Sequence, residues 1–174
     1  MTRIRAVLFD WGNTLMRDLP GQHGPMRDWP HVEALPGALE TLTALRAQGL
    51  RLALATNAAD SGPADIRAAL ARCGLSAALE QIFCARELGL AKPARAFYGA
   101  CLAGLDLPAE AVAMVGDDWH GDVQGALHAG LAAVWLQARR SLLPPVPDGA
   151  CVTTIAALGE LPELFTHWPP VQDD

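Results

Sequence analysis

The 174-residue chain has no apolar run approaching the ~20 residues of a membrane-spanning helix. That excludes a helical membrane protein. It also lacks the start of a secreted chain: Met1-Thr2-Arg3-Ile4-Arg5 leads straight into an apolar stretch with no small-residue cleavage site, so no signal peptide and a cytoplasmic location are expected. Its four cysteines (Cys73, Cys84, Cys101 and Cys151) lie far apart with no C-x-x-C pair, which excludes the usual zinc-ligand spacing and a disulfide framework. Positive charge is scarce too. Lys and Arg number 13 against 19 Asp and Glu, and the net charge of −6 argues against nucleic acid as the main partner. Phosphorylated small molecules stay open, because one metal ion and one lysine can invert the field inside a pocket. No internal repeat or low-complexity tract interrupts the pattern. What is present is 51% hydrophobic with a mean hydropathy of +0.18, enough to bury a core, and it reads as a single domain over residues 1–174.

Strand and helix signals alternate. Ile4 to Phe9, Leu50 to Ala55, Gln81 to Ala85, Ala111 to Val115 and Leu131 to Leu136 are short apolar runs without in/out alternation. Between them lie helical segments. One opens at Pro36-Gly37 with Leu39, Leu42 and Leu45 inward, one runs from Pro63 to Cys73, one starts at Pro93, and one covers Val123 to Ala129. Proline suits a first helical turn because its missing N–H has no partner there anyway. Apolar strands alternating with helices predict a doubly wound, three-layer α/β domain around a parallel sheet. Two stretches are irregular. Residues Arg17 to Leu35 form a Pro- and Gly-rich excursion too short for a separate cap domain. Ser141 to Gly149, with Pro144, Pro145 and Pro147, reads as a surface loop, followed by an edge strand at Val152 to Ile155, a terminal helix and a frayed end.

Four fragments carry the chemistry: Phe9-Asp10-Trp11-Gly12-Asn13-Thr14, Ala55-Thr56-Asn57, Ala91-Lys92-Pro93 and Gly116-Asp117-Asp118-Trp119-His120-Gly121-Asp122. In open α/β sheets ligands sit at the carboxyl ends of the strands. Asp10, Thr56 and the Asp117/Asp118 pair all fall at such ends, and Lys92 enters from a loop before a helix. An aspartate alone at a strand end is commonly a turn former; the four fragments in this order are not a chance pattern.

In these motifs, over roughly Ile4 to Leu136, the chain resembles the haloacid dehalogenase superfamily of aspartate-nucleophile hydrolases, of Rossmann-like fold. Asp10 and Thr14 match the first motif, Thr56 the second, Lys92 the third, and Asp117 with Asp122 the fourth. The resemblance implies that Asp10 attacks phosphorus to give an aspartyl phosphate that water then hydrolyses. It implies a Mg²⁺ ion held by Asp10, Asp117 and the main-chain carbonyl of Gly12, with Asp122 behind them. Thr56 and the Asn57 backbone would bind phosphoryl oxygens, and Lys92 would offset negative charge. Asp118 is either a further metal ligand or the cap of the following helix.

The departure is Gly12, where family members carry a second acid that protonates the leaving group and activates water, a contribution of typically ~10²–10⁴-fold. Three readings follow. The first is a phosphatase that favours good leaving groups or borrows an acid, with Asp18, His23, Asp28 and His31 as donors in the excursion, each more simply read as a solvated loop residue. The second is a family reaction that needs no such acid, carbon–halogen or carbon–phosphorus cleavage; the metal-binding acids argue against the former and the missing cap against the latter. The third is a catalytically weakened protein that binds a phosphorylated ligand or a protein partner. If the missing acid is limiting, Gly12→Asp should raise turnover on alkyl phosphates, unless glycine is needed there for a positive φ. Without a cap the site should be open to larger phosphorylated substrates or covered by a neighbouring subunit in a homo-oligomer. Trp11 and Trp119, beside the acidic motifs, are packing residues or a stacking platform.

Overall fold

The computed structural model describes residues 3–139 and 142–169. Six strands form one parallel sheet: β1 (Ala6–Phe9), β2 (Arg51–Thr56), β3 (Gln81–Cys84), β4 (Val112–Gly116), β5 (Ala132–Leu136) and β6 (Val152–Ile155), in the spatial order β3-β2-β1-β4-β5-β6. The helices are α1 (Ala38–Ala47), α2 (Pro63–Arg72), α3 (Ala85–Leu88), α4 (Arg95–Leu105), α5 (Gly125–His128) and α6 (Leu161–Thr166). Among the described residues, no helix is long and apolar enough to cross a membrane.

The predicted three layers are present. All four residues of β1 are buried, and they divide by parity. Val7 and Phe9 join a core with Leu42, Leu45, Ile66, Leu70, Leu161 and Phe165, under α1, α2 and α6. Ala6 and Leu8 join a second core with Phe97, Tyr98, Cys101 and Ala126, under α4 and α5. A strand covered on both faces cannot alternate apolar and polar residues, which explains the unbroken apolar runs.

Three elements differ from expectation. Leu39 does not face inward; it is 44% exposed, and Ala38, Thr41, Leu42 and Leu45 make the buried face instead. A strict three-residue spacing rotates about 60° per step at 3.6 residues per turn, so Leu39 has swung about 120° away from Leu45. Pro93 does not open α4, which starts at Arg95; the Lys92–Pro93 peptide is cis, and Ala94 N–H donates to Ala91 C=O at 2.9 Å to close a turn. The helical segment expected from Val123 begins earlier, as a π-helical turn over Trp119–Gln124 that continues into α5. Asp118 starts it, its carboxylate accepting from His120 N–H (3.3 Å) and Gly121 N–H (2.9 Å). Within the loop expected over Ser141 to Gly149, residues 142–149 carry no regular element, whereas Ser141 and the expected frayed end beyond Pro169 lie outside the described residues.

The excursion after β1 leaves and returns side by side. Arg17 N–H donates to Glu33 C=O and Leu35 N–H to Leu15 C=O, both at 2.9 Å. Its tip is tied to α2: Arg27 pairs with Asp65 at 2.6 Å, and Arg72 donates to the Trp29 carbonyl at 2.7 Å. This short flap is therefore held against the body of the fold.

Candidate active site

β1 lies between β2 and β4, so the residues that follow these three strands come together at one rim. Asp10 N–H donates to Val115 C=O at 2.9 Å and continues the ladder one residue past β1, which fixes its carboxylate at the centre. Lys92 reaches it from the loop before α4. Only 7% exposed, its ammonium donates to Asp10 Oδ1 at 2.7 Å and to Asp122 Oδ1 at 2.6 Å. Asp10, Asp117 and Asp122 offer carboxylate oxygens that all lie within 4.8 Å of one another. Asp122 is 1% exposed and also accepts from Asp118 N–H at 3.1 Å. It fits only because residue 116 is glycine: a Cβ there would lie 2.6 Å from the Asp122 Cβ and nearer still to its carboxylate.

Two supporting residues were not assigned their roles from sequence. The buried Thr14 hydroxyl lies 3.3 Å from both Asp10 Oδ2 and Asp117 Oδ1, and its single proton serves one at a time. The Asn57 side chain clamps the backbone of Lys92, accepting from its N–H at 2.8 Å and donating to its carbonyl at 2.9 Å. Both signals were in the motifs, but motif matching names a residue type without saying what it bonds. Thr56 is buried at the end of β2, with its hydroxyl accepting from Ala58 N–H at 3.2 Å. Asp118 is engaged as a cap and does not belong to the converging trio. The tryptophans pack: Trp11 is buried and donates to Met16 Sδ, while Trp119 lies against Trp135, centroids 4.7 Å apart, whose indole N–H donates to the Asp117 carbonyl at 2.9 Å.

Three carboxylates converge where one ammonium bonds to two of them, and the electrostatics follow from that imbalance. Burial first, then Asp10, pushes the Asp117 carboxyl from 3.8 up to about 6. Burial and Asp10 also push Asp122 up, against the pull of Lys92. Burial by itself would lower the Lys92 pKa, but Asp10 and Asp122 outweigh it and hold the ammonium above its ordinary range.

The rim opens into a cleft of about 380 Å³ lined by Asp10, Gly12, Thr56, Asn57 and Asp117, with Asp18, Met26 and Trp29 of the flap as the facing wall. A second hollow of the same volume, near Leu131, Cys151 and Trp168, shares no residue with it. Of the four donors considered in the excursion, His23, Asp28 and His31 do not line the cleft, whereas Asp18 does. Its carboxyl is pushed up by partial burial and by the nearby Asp10.

Comparisons with known proteins bear on the fold and the reaction class. Residues 23–130 match the family model of the haloacid dehalogenase-like hydrolases. The chain is 30% identical to the pyrimidine 5'-nucleotidase of Escherichia coli over 183 residues, covering 92% of this chain and 78% of that one. It is 37% identical to the ribulose-1,5-bisphosphate 5-phosphatase of Halopiger xanaduensis over 141 residues, covering 78% of this chain but only 58% of the relative. A crystal structure of an uncharacterized protein from Listeria monocytogenes superimposes with a TM-score of 0.83 at 27% identity, over 94% of this chain and 97% of that one.

Proposed function

The chain belongs to the haloacid dehalogenase-like hydrolases, and we propose that it is a magnesium-dependent phosphatase using Asp10 as nucleophile. One observation carries this reading: the Lys92 ammonium bonded at once to Asp10 and Asp122, with Asp10 and Asp117 lining an open cleft. The similarity to enzymes named for nucleotides and a sugar bisphosphate supports phosphate esters as substrates.

The residues fit a hard divalent cation, since three converging carboxylates and one ammonium leave negative charge uncompensated, and oxygen donors are what such ions take. Asp10, Asp117 and the Gly12 carbonyl would hold it, with Asp122 behind. When bound, the ion would neutralise charge shared by the nucleophile and the phosphate. The protein's own residues do the rest. Lys92 holds the Asp10 carboxylate in one orientation and opposes the charge of the incoming phosphoryl group. Asp10 forms an oxygen–phosphorus bond as the ester bond breaks, and water then cleaves the aspartyl phosphate. Thr56 and the Asn57 backbone, at the end of β2, would donate to phosphoryl oxygens. Carbon–halogen cleavage is less favoured, because it has no use for the clustered Asp117 and Asp122.

Asp10→Asn tests the reading. With the fold confirmed by its melting transition, the variant should lose all turnover of phosphate esters and should take up no covalent phosphoryl group from acetyl phosphate, as read by intact-protein mass. A variant that retains either property sinks the assignment of Asp10.

A further inference from the structure

The place of the missing second acid is already filled. A Cβ built on Gly12 would run into the Asp18 carboxylate, 2.7 Å from Oδ1 and 2.8 Å from Cγ, with Oδ2 nearer still. Backbone conformation does not account for the glycine, because the positive φ in this turn belongs to its neighbour Asn13, at 55°. Carboxyl side chains at 12 and 18 would compete for one volume, and this chain keeps the one at 18.

Asp18 is also held there. Its N–H donates to Asn13 Oδ1 at 3.1 Å, and the preceding Arg17 is pinned by its backbone bond and its 2.7 Å ion pair to Glu33. The Asp18 carboxylate itself makes no hydrogen bond or ion pair with any described residue, and it lines the cleft beside Asp10, Thr56, Asn57 and Asp117. The carboxylate is exposed to solvent at the cleft wall, so it needs no protein partner and is free to meet a group that enters the cleft.

We propose that Asp18 is the proton-transfer residue of this site, supplied from the flap in place of the residue at 12; this rests on the phosphatase reading above. As Asp10 bonds to phosphorus and the ester P–O bond breaks, the Asp18 carboxyl gives its proton to the departing oxygen, releasing the alcohol. In the second step the Asp18 carboxylate takes a proton from the attacking water. The water oxygen bonds to phosphorus, the Asp10–phosphorus bond breaks, and inorganic phosphate leaves with Asp10 restored.

The test is Asp18→Asn on two classes of substrate with magnesium present. Glycerol phosphate has a poor leaving group that needs a proton; p-nitrophenyl phosphate and acetyl phosphate do not. Release from glycerol phosphate should fall ~10²–10⁴-fold. The first turnover of p-nitrophenyl phosphate should keep its rate, appearing as a burst of nitrophenol. The slow second step should then let the phosphoryl adduct accumulate, visible by intact-protein mass. The double variant Gly12→Asp/Asp18→Ala, which clears the volume, should regain part of the glycerol phosphate activity. The proposal is overturned if Asp18→Asn behaves as wild type on all three substrates, or if burst and glycerol phosphate rates fall together with the magnesium-induced thermal shift. The latter would make Asp18 part of the metal site. Failure of the phosphatase reading looks different: folded wild type would then turn over none of the three and form no adduct, and Asp18 would fall with it.

Discussion

Lys92 is the only lysine of the chain, and it sits where no arginine could easily replace it, between the half-buried carboxylate of Asp10 and the buried one of Asp122. An ammonium is a compact point charge, whereas a guanidinium is a planar fork that needs more room. Removing one partner of a buried ion pair leaves the other charges uncompensated, at a cost of about 3–5 kcal/mol. Lys92→Met should therefore lower stability by that order in denaturant unfolding and abolish turnover. Unchanged stability would mean that Asp10 and Asp122 are not held as charged groups by this lysine. At this scale the sequence was uneven. Asp10, Lys92, Asp117 and Asp122 were legible because their neighbours and spacing repeat a known pattern. The Asn57 clamp was not, since its partner is the backbone of residue 92, far along the chain. Gly12 was legible as a departure but not as a vacancy already taken, because only the tight turn at Asn13 folds the outgoing limb of the flap back and brings Asp18 over it. The expectation that Gly12→Asp alone raises alkyl phosphate turnover is revised accordingly. The new side chain must first displace Asp18, and a net gain is expected only when Asp18 is shortened as well.

The turn that starts at Asp118 determines where Asp122 can go. Asp118 accepts from the N–H groups of His120 and Gly121, and Tyr98 bonds from below to the Gly121 carbonyl at 2.7 Å. These contacts form the π-helical turn over Trp119–Gln124, which brings Asp122 round to meet Lys92. Cap and ligand make opposite predictions for Asp118→Ala. A lost cap costs about 0.5–2 kcal/mol, with magnesium binding retained and turnover reduced only moderately. A lost ligand would leave the metal-free melting temperature alone and weaken magnesium binding. Thermal denaturation with and without the ion separates the two, and we expect the first. From sequence, Asp118 read equally well either way, since both roles require an acid just past a strand. The early start of the helical segment was hidden for a related reason: Trp119, His120 and Gly121 carry no apolar periodicity, and side-chain capping with a wider turn takes its place.

A parallel sheet covered on both faces was legible in the unbroken apolar runs, whereas the strand order was not, because an apolar run does not say which strand it pairs with. Strand ends moved by one or two residues where backbone pairing, not side-chain type, sets the limit. The whole molecule then bears the electrostatic consequence of gathering three strand ends at one rim. Folding brings Asp117 close to Asp10 and out of water, and its carboxyl rises from 3.8 to about 6. A group that holds its proton more tightly in the folded chain contributes stability that is fully present below about pH 4 and is lost as the pH rises toward about 6. Magnesium, the ion proposed for this site, would bind the deprotonated carboxylates and only the folded chain, so its stabilisation should grow over that same window. At a magnesium concentration ~100 times its dissociation constant the gain is about 2.7 kcal/mol, which for a chain of this size raises the melting temperature by about 5–10 °C. That shift should appear near pH 7.5 and shrink near pH 5. Asp117→Asn removes the titrating group, so the variant should lose both the magnesium shift and the part of the metal-free pH slope that Asp117 supplies. A magnesium shift of equal size at both pH values, or one that survives in the variant, would show that the ion is not bound through this carboxylate.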